Sequence, residues 1–114
     1  MSNENLRNNL LPYWTSTVER VGLLLASGEV VELPNHSNTP EKSFMLARQD
    51  IKPYDGQAVA TWHTHPENNV NLSALDYLAF LQLPNLTHYI VTETRIRSFV
   101  IRNNTVMLHE ADCV

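Results

Sequence analysis

The sequence lacks the features that define several classes of protein. It contains one cysteine, Cys113, which cannot form an internal disulfide or build a cysteine-rich zinc site. Any metal must therefore bind through His and carboxylate ligands. Lys and Arg number 8 against 12 Asp and Glu, and the net charge of −4 argues against a nucleic-acid partner or an anionic membrane surface.

Long apolar runs are missing as well, so the sequence predicts no membrane span. Residues 1–5 contain no basic segment followed by an apolar run, and we expect no signal peptide. These two observations predict a cytoplasmic protein. The length of 114 residues and the hydrophobic share of 43% predict a single globular domain over residues 1–114.

Apolar runs separated by turn residues predict several strands and at least two helices. A helical spacing of apolar residues covers residues 3–18, where Pro12 should kink or interrupt the helix. Residues 48–54 are predicted as a short helical or irregular link. Short apolar runs predict strands over residues 21–25, 30–33, 43–47, 57–62, 88–93, 96–101 and 105–109, with Asn103 and Asn104 in the last turn.

The clearest helix is predicted over residues 73–83, and Pro84 ends it. Tyr77 and Phe80 are further candidates for the core or for a substrate groove. An apolar stripe along this helix comprises Ala74, Leu75, Leu78, Leu81 and Leu83. Strands mixed with two main helices indicate a sheet domain of the α/β or α+β class.

The segment His63-Thr64-His65 is the first candidate for a metal site. Side chains two residues apart on a strand point to the same side, so both imidazoles can reach one ion. A catalytic zinc uses three protein ligands and leaves one position open. Asp76 follows in the first turn of the predicted helix and is the candidate third ligand, because a loop beginning at Pro66 can fold that helix end back.

Amide hydrolysis also needs a proton shuttle and a donor to the oxyanion. Glu19 is the candidate shuttle, because a carboxylate beside the buried run 21–25 has little structural purpose there. Ser73 is the candidate donor, three residues before Asp76. Taken alone, Ser73 and Asp76 also form a helix capping box. His36, His88 and His109 have no partner at ligand spacing, and we expect none of them to bind metal.

Together these residues resemble the signature of the JAMM (MPN-type) metalloprotease family. Residues 19–24 (Glu-Arg-Val-Gly-Leu-Leu) are similar to the Glu-x-x-Gly-Leu that starts the family's first strand. Residues 63–66 match its His-(Ser/Thr)-His-Pro turn. Residues 73–76 match its Ser-x-x-Asp, with 10 residues between His65 and Asp76. The resemblance covers about residues 19–101.

The resemblance implies a cytidine-deaminase-like fold, in which helices flank a curved mixed sheet. It implies that His63, His65 and Asp76 bind one Zn²⁺ per chain. It also implies that Glu19 is the general acid/base and that Ser73 supports the oxyanion.

The same resemblance implies cleavage of peptide or isopeptide bonds in a protein substrate, such as a ubiquitin-like or phage tail protein. Residues 34–44 and the loop at Glu67-Asn68-Asn69 are most similar to the short prokaryotic and phage tail-assembly members. Those tail proteins usually carry a second peptidase domain, which this sequence does not contain.

Other functions fit the sequence less well. The His-Glu-x-x-His helix of common zinc proteases is missing, as are the His-x-Glu and Pro-Cys-x-x-Cys motifs of nucleoside deaminases. Barrel amidohydrolases need about 250 residues. The alternative is a non-catalytic MPN-type scaffold or a phage tail-assembly interaction domain, which should purify without stoichiometric zinc.

Overall fold

A mixed sheet of six strands organises the chain in the computed structural model, which describes residues 2–113. The strand order is β2-β1-β3-β4-β5-β6, with β3 and β4 parallel and all other neighbours antiparallel. The helices are α1 (Asn3–Leu10), α2 (Arg48–Ile51) and α3 (Ala74–Leu81). The strands are β1 (Val21–Leu25), β2 (Val30–Leu33), β3 (Ala58–Thr64), β4 (Thr87–Val91), β5 (Ile96–Arg102) and β6 (Thr105–Glu110). The predicted mixture of helices and strands is confirmed.

Most predicted elements lie close to their expected positions. The strands at residues 21–25 and 30–33 have the predicted bounds, and Asn103 and Asn104 form the β5–β6 turn with φ of 54° and 59°. The first helix ends at Leu10, and a 3-10 turn over Leu11–Tyr13 contains Pro12. Its predicted extension to residue 18 is wrong, because Trp14 has an extended backbone with ψ of 136°.

The strand predicted at residues 43–47 is wrong. The segment is irregular and lies outside the sheet. The side chain of Asn35 replaces a strand neighbour: its amide nitrogen donates to the carbonyl of Ser43 at 3.1 Å, and its oxygen accepts from the amide of Met45 at 3.0 Å. One carboxamide therefore satisfies polar backbone groups that a strand would pair in a ladder.

The apolar stripe predicted for α3 is not the face that the helix buries. Leu75 and Leu78 are 60% and 58% exposed, whereas Asp76 and Phe80 are the buried residues of α3. These two are neighbours on a helix surface because they are four positions apart. The orientation of α3 thus places a carboxylate inward at the cost of two exposed leucines.

Trp62 fixes the packing of β3 against β1. Its indole is fully buried and donates to the carbonyl of Leu23 at 3.2 Å. A Cβ added to Gly22 would lie 1.9 Å from the carbonyl oxygen of Val31 in β2 and 2.7 Å from Cζ2 of Trp62, both closer than packed atoms approach. Glycine at position 22 therefore permits the close approach of the strand that carries His63. No helix within residues 2–113 is long and apolar enough to cross a membrane.

Candidate metal centre

The C-terminal end of β3 brings both histidines to one point. His63 lies in β3, and His65 follows directly after the strand's last residue, Thr64. The amide of His65 donates to the carbonyl of Val91 at 2.9 Å, so the backbone stays extended beyond the strand. The two rings therefore lie on the same side, with centroids 4.8 Å apart. His63 is 1% and His65 3% exposed.

The N-terminus of α3 delivers Asp76 to the same point. Ser73 is the N-cap, and its hydroxyl oxygen accepts from the amide of Asp76 at 3.0 Å. The carboxylate of Asp76 accepts from the amide of Ser73 at 3.2 Å, which completes a capping box. This double contact fixes the carboxylate at the helix end, where it is 2% exposed.

The three side chains present their donor atoms to one another in a tight triangle. Nε2 of His63 lies 3.0 Å from Nε2 of His65 and 3.2 Å from Oδ1 of Asp76. Nε2 of His65 lies 3.0 Å from Oδ2 of Asp76. Donors around a tetrahedral zinc at about 2.0 Å are separated by about 3.3 Å. Each of these separations, two of which involve different oxygens of Asp76, is therefore close to that of neighbouring donors around one zinc.

Different contacts hold the two imidazoles. Nδ1 of His65 donates to the backbone carbonyl of Asn69 at 2.9 Å, which leaves the lone pair of Nε2 directed at the triangle. Nδ1 of His63 has no hydrogen-bond partner among residues 2–113. Its ring is held by packing, with centroid distances of 4.3 Å to Phe44 and 5.8 Å to Phe80.

Glu19 lies beside the triangle, two residues before the start of β1. Its donor atom and those of the three other side chains all lie within 4.8 Å of one another. The neighbouring Arg20 is tied to Thr64 twice: its amide donates to the Thr64 hydroxyl at 2.8 Å, and its carbonyl accepts from the Thr64 amide at 2.9 Å. These bonds align the start of β1 with the end of β3.

The carboxyl group of Glu19 is buried without compensation. It is 3% exposed, and Oε1 has no hydrogen-bond partner among the described residues. Burial raises the pKa of Glu19 to about 8; nearby His65 opposes this rise, while Asp76 and Glu67 add to it. In the absence of a cation, this carboxyl is therefore largely protonated at neutral pH.

The ligand triangle is strongly coupled. Burial favours the neutral form of Asp76, but the two imidazoles outweigh burial and hold its pKa well below the usual range. Burial lowers the pKa of His63. Burial also lowers the pKa of His65, but hydrogen bonding and attraction to Asp76 raise it overall. The centre thus contains an ionised carboxylate beside a neutral His63, a state suited to binding a cation.

The structure brings together four of the five residues singled out in the sequence, namely Glu19, His63, His65 and Asp76. Ser73 lies at the edge of this group as the helix cap, and its side chain is exposed. Its hydroxyl hydrogen is not used in the cap, because the oxygen acts there as acceptor. The group can hold a metal ion.

Three residues support the site in ways that sequence reasoning missed. The indole nitrogen of Trp14 donates to the carbonyl of His65 at 2.8 Å. The hydroxyl of Thr64 accepts from the amide of Arg20, and the carbonyl of Asn69 accepts from Nδ1 of His65. Only Thr64 had a sequence signal, because it stands between the two histidines. A backbone carbonyl and a distant indole leave no local pattern.

The remaining histidines lie elsewhere. Nε2 of His36 lies at hydrogen-bond distance, 2.8 Å, from Oδ2 of Asp50. His88 is buried and bonded through both ring nitrogens. His109 lies in β6 at the far edge of the sheet. None of them belongs to the ligand group found within residues 2–113.

Comparisons with known proteins bear on the fold. No family model matches the chain, and no curated protein is detectably similar to it in sequence. The chain is similar to the solution structure of protein DSY2949 from Desulfitobacterium hafniense, with a TM-score of 0.60 and 22% identity. The match covers 95% of this chain and 82% of that one. At this identity the likeness shows a shared fold.

Proposed function

We propose that this chain is a zinc-dependent metallopeptidase or isopeptidase of the JAMM type, which hydrolyses an amide bond. The observation that carries the proposal is the convergence of His63, His65 and Asp76 into one buried triangle, with Glu19 beside it. A structural role explains such a group poorly, since Nδ1 of His63 and Oε1 of Glu19 are buried without a hydrogen-bond partner among the described residues.

The donor set fits a catalytic zinc. Two neutral imidazoles and one carboxylate are a common three-ligand set for catalytic zinc sites. The separations of 3.0 to 3.2 Å between the donor groups match donors that share one ion. The Asn69 carbonyl accepts from Nδ1 of His65, which is how a backbone carbonyl commonly orients a metal-binding histidine. We therefore propose one Zn²⁺ per chain, held by His63, His65 and Asp76.

A bound zinc supplies Lewis acidity, which polarises an amide carbonyl and acidifies water at neutral pH. Glu19 then performs the proton transfers: its carboxylate accepts a proton from the attacking water and returns it to the leaving amine. The Ser73 hydroxyl donates a hydrogen bond to the oxyanion that forms on the substrate carbonyl. The buried position of Glu19 excludes bulk water from this exchange.

The fold supports the same proposal. The parallel pair β3 and β4 joined through α3 places both histidines and the start of α3 at one edge of the mixed sheet. This arrangement is compatible with a cytidine-deaminase-like JAMM fold. We propose a peptide or protein substrate, including a ubiquitin-like or phage tail protein, as the resemblance to the short prokaryotic and phage members implies.

The test compares zinc-loaded wild type with Glu19→Gln on a panel of peptide and isopeptide substrates. We expect Glu19→Gln to keep its zinc and to lose about 100- to 10,000-fold in kcat, the usual contribution of a general acid/base. Glu41→Gln, the same change at an exposed loop residue, is the matched control and should keep full activity.

Two outcomes contradict this proposal. If Glu19→Gln cleaves as fast as wild type, Glu19 is not the proton shuttle. If the wild type binds no stoichiometric zinc by elemental analysis and cleaves no substrate, the domain is a non-catalytic scaffold.

A further inference from the structure

A cavity lies on the same face of the sheet as the metal centre, towards the opposite end of α3. Its volume is about 660 Å³, which is within the range of small-molecule and peptide side-chain pockets. Thr61 and His88 form its polar floor, and both are nearly fully buried. Its walls are mainly apolar and include Phe44, Ile51, Ala79, Phe80 and Leu83.

The cavity shares two walls with the metal centre. Phe44 and Phe80 line it, and the same two rings pack against His63 at centroid distances of 4.3 Å and 5.8 Å. Its floor residue Thr61 precedes His63 by two positions in β3, so both side chains face the same way. A substrate held at the metal centre can therefore reach the cavity along this face.

The separation sets how much substrate lies between the two places. His63 belongs to the metal centre and Thr61 to the cavity. Two strand residues span about 7 Å. An extended peptide advances by about the same rise per residue, so the cavity would receive a side chain about two positions from the scissile bond.

The rim of the cavity is positive on a protein that is acidic overall. Arg48 and Lys52 are exposed at the rim, and Asp55 is the one acidic residue among the lining residues. Neither cation forms an ion pair with any other residue in the 2–113 range. With a chain net charge of −4, this local excess of positive charge favours an occupant that carries a carboxylate.

We propose that this cavity is a specificity pocket for the substrate and binds a bulky apolar side chain flanked by an acidic residue. The inference rests on the proposed function, because it assigns the cavity to the peptide that the metal centre cleaves. The apolar walls take the side chain, and Arg48 and Lys52 attract the neighbouring carboxylate.

The test measures binding separately from cleavage. The zinc-loaded Glu19→Gln protein is titrated with acetyl-Ala-Phe-Glu-Ala-amide, and amide shifts of Thr61, Ala79 and Leu83 are followed by NMR. We expect saturable shifts at these residues, about tenfold weaker affinity when Lys replaces Glu in the peptide, and no saturation when Ala replaces Phe.

Variants at the rim and in the wall complete the test. Arg48→Glu with Lys52→Glu should weaken binding about tenfold at low salt and much less at high salt, since exposed charges are screened. The matched control is Arg95→Glu with Arg102→Glu, which changes charge equally at exposed residues outside the cavity and should leave affinity unchanged. Ala79→Phe fills the cavity and should abolish binding.

The results separate this inference from the proposed function. If the peptide shifts none of the cavity residues, or if charge reversal and control weaken binding equally, the pocket assignment is wrong. An enzyme that cleaves all three peptides at equal kcat/KM would likewise overturn the pocket and leave the hydrolase. Selective binding in the cavity of a protein that cleaves nothing would overturn the hydrolase and leave the binding site.

Discussion

Two neighbouring strands carry buried histidines that differ in how their nitrogens are satisfied. On β4, His88 is 1% exposed, and its Nε2 donates to the carbonyl of Leu83 at 2.9 Å. Its Nδ1 accepts from the hydroxyl of Thr61 at 2.7 Å, because only the hydroxyl can donate once Nε2 carries the proton. His88 also stacks on Phe80 at 4.3 Å. It is a fully bonded structural histidine.

At the end of β3, His63 and His65 are equally buried but face each other. Their Nε2 atoms are 3.0 Å apart, and two lone pairs at that distance repel unless a proton or a cation lies between them. His63 and His88 share burial, a position within a strand and contact with Phe80. Burial of an imidazole therefore does not distinguish these histidines, whereas convergence on a second imidazole and a carboxylate does.

The largest expected effect separates these two environments by metal content. We expect His63→Ala to lower zinc affinity by more than about 100-fold. Loss of a group that only hydrogen-bonds to a metal-binding side chain already lowers metal affinity about 10- to 100-fold. His88→Asn should retain one zinc per chain. Competition with a fluorescent chelator measures the zinc affinity of each variant, and elemental analysis measures its zinc content. Equal zinc loss in both variants would contradict the distinction between the environments of His63 and His88.

The second prediction concerns acid stability, which His88 should control. Burial lowers the pKa of His88 to about 4 from 6.5. Between these values the unfolded state binds more protons than the folded state, so stability falls as the pH drops from 6.5 towards 4. The loss is ~3 kcal/mol by linkage. Above pH 6.5 both states are neutral and this contribution to stability is complete.

The measurement is the free energy of unfolding of chelator-treated protein at pH 7.5 and pH 4, for wild type and His88→Asn. The variant should be less stable at pH 7.5, but its pH dependence should be shallower by the amount assigned to His88. Titration of all other groups cancels in this difference. Parallel pH profiles for the two proteins would refute the assignment.

The convergence of His63, His65 and Asp76 was predictable from the sequence because these residues stand at fixed local spacings. His63 and His65 share one face of a strand, and Asp76 stands at a helix start marked by Ser73. The strand Val21–Leu25 was predictable because its apolar run follows the charged pair Glu19-Arg20 and precedes the turn residues Ser27-Gly28. In each case the information is contained in a few consecutive residues.

The remaining features depend on tertiary contacts that local patterns do not encode. The stripe with Leu75 and Leu78 predicted the wrong buried face, because α3 turns Asp76 and Phe80 inward instead. Residues 43–47 have strand-like composition, but the Asn35 side chain holds them in an irregular form. The bonding of His88 was equally hidden, since Leu83 belongs to the connection before β4 and Thr61 to another strand.

The third prediction weakens the support of one ligand without removing it. Asn68 has a left-handed backbone with φ of 60°, and its side-chain oxygen accepts from the amide of Glu93 at 3.0 Å. The next residue supplies the carbonyl that orients His65. We expect Asn68→Ala to lower zinc affinity about tenfold. This is the lower end of the loss seen when a group that supports a metal-binding side chain is removed.

Asn68→Gly and Asn71→Ala are the controls, and chelator competition again measures affinity. The glycine variant keeps the left-handed backbone accessible and should lose less affinity than the alanine variant. Asn71 is exposed in the same loop, and its change to alanine should have no effect. If Asn68→Ala binds zinc like wild type, the loop does not position His65.

The smallest expected effect tests His88 through its partner. Thr61→Val keeps the shape of the side chain but leaves the buried Nδ1 of His88 without its donor, which should lower the free energy of unfolding by about 1 to 2 kcal/mol. Zinc content should not change, because Thr61 touches no ligand of the metal. A urea titration at pH 7.5 measures the stability.

Combining Thr61→Val with His88→Asn should lower the free energy of unfolding by less than the sum of the two single changes, because both remove the same hydrogen bond. Full additivity would mean that the hydroxyl and the imidazole act independently, and the contrast between a bonded His88 and a converging His63 and His65 would lose its basis.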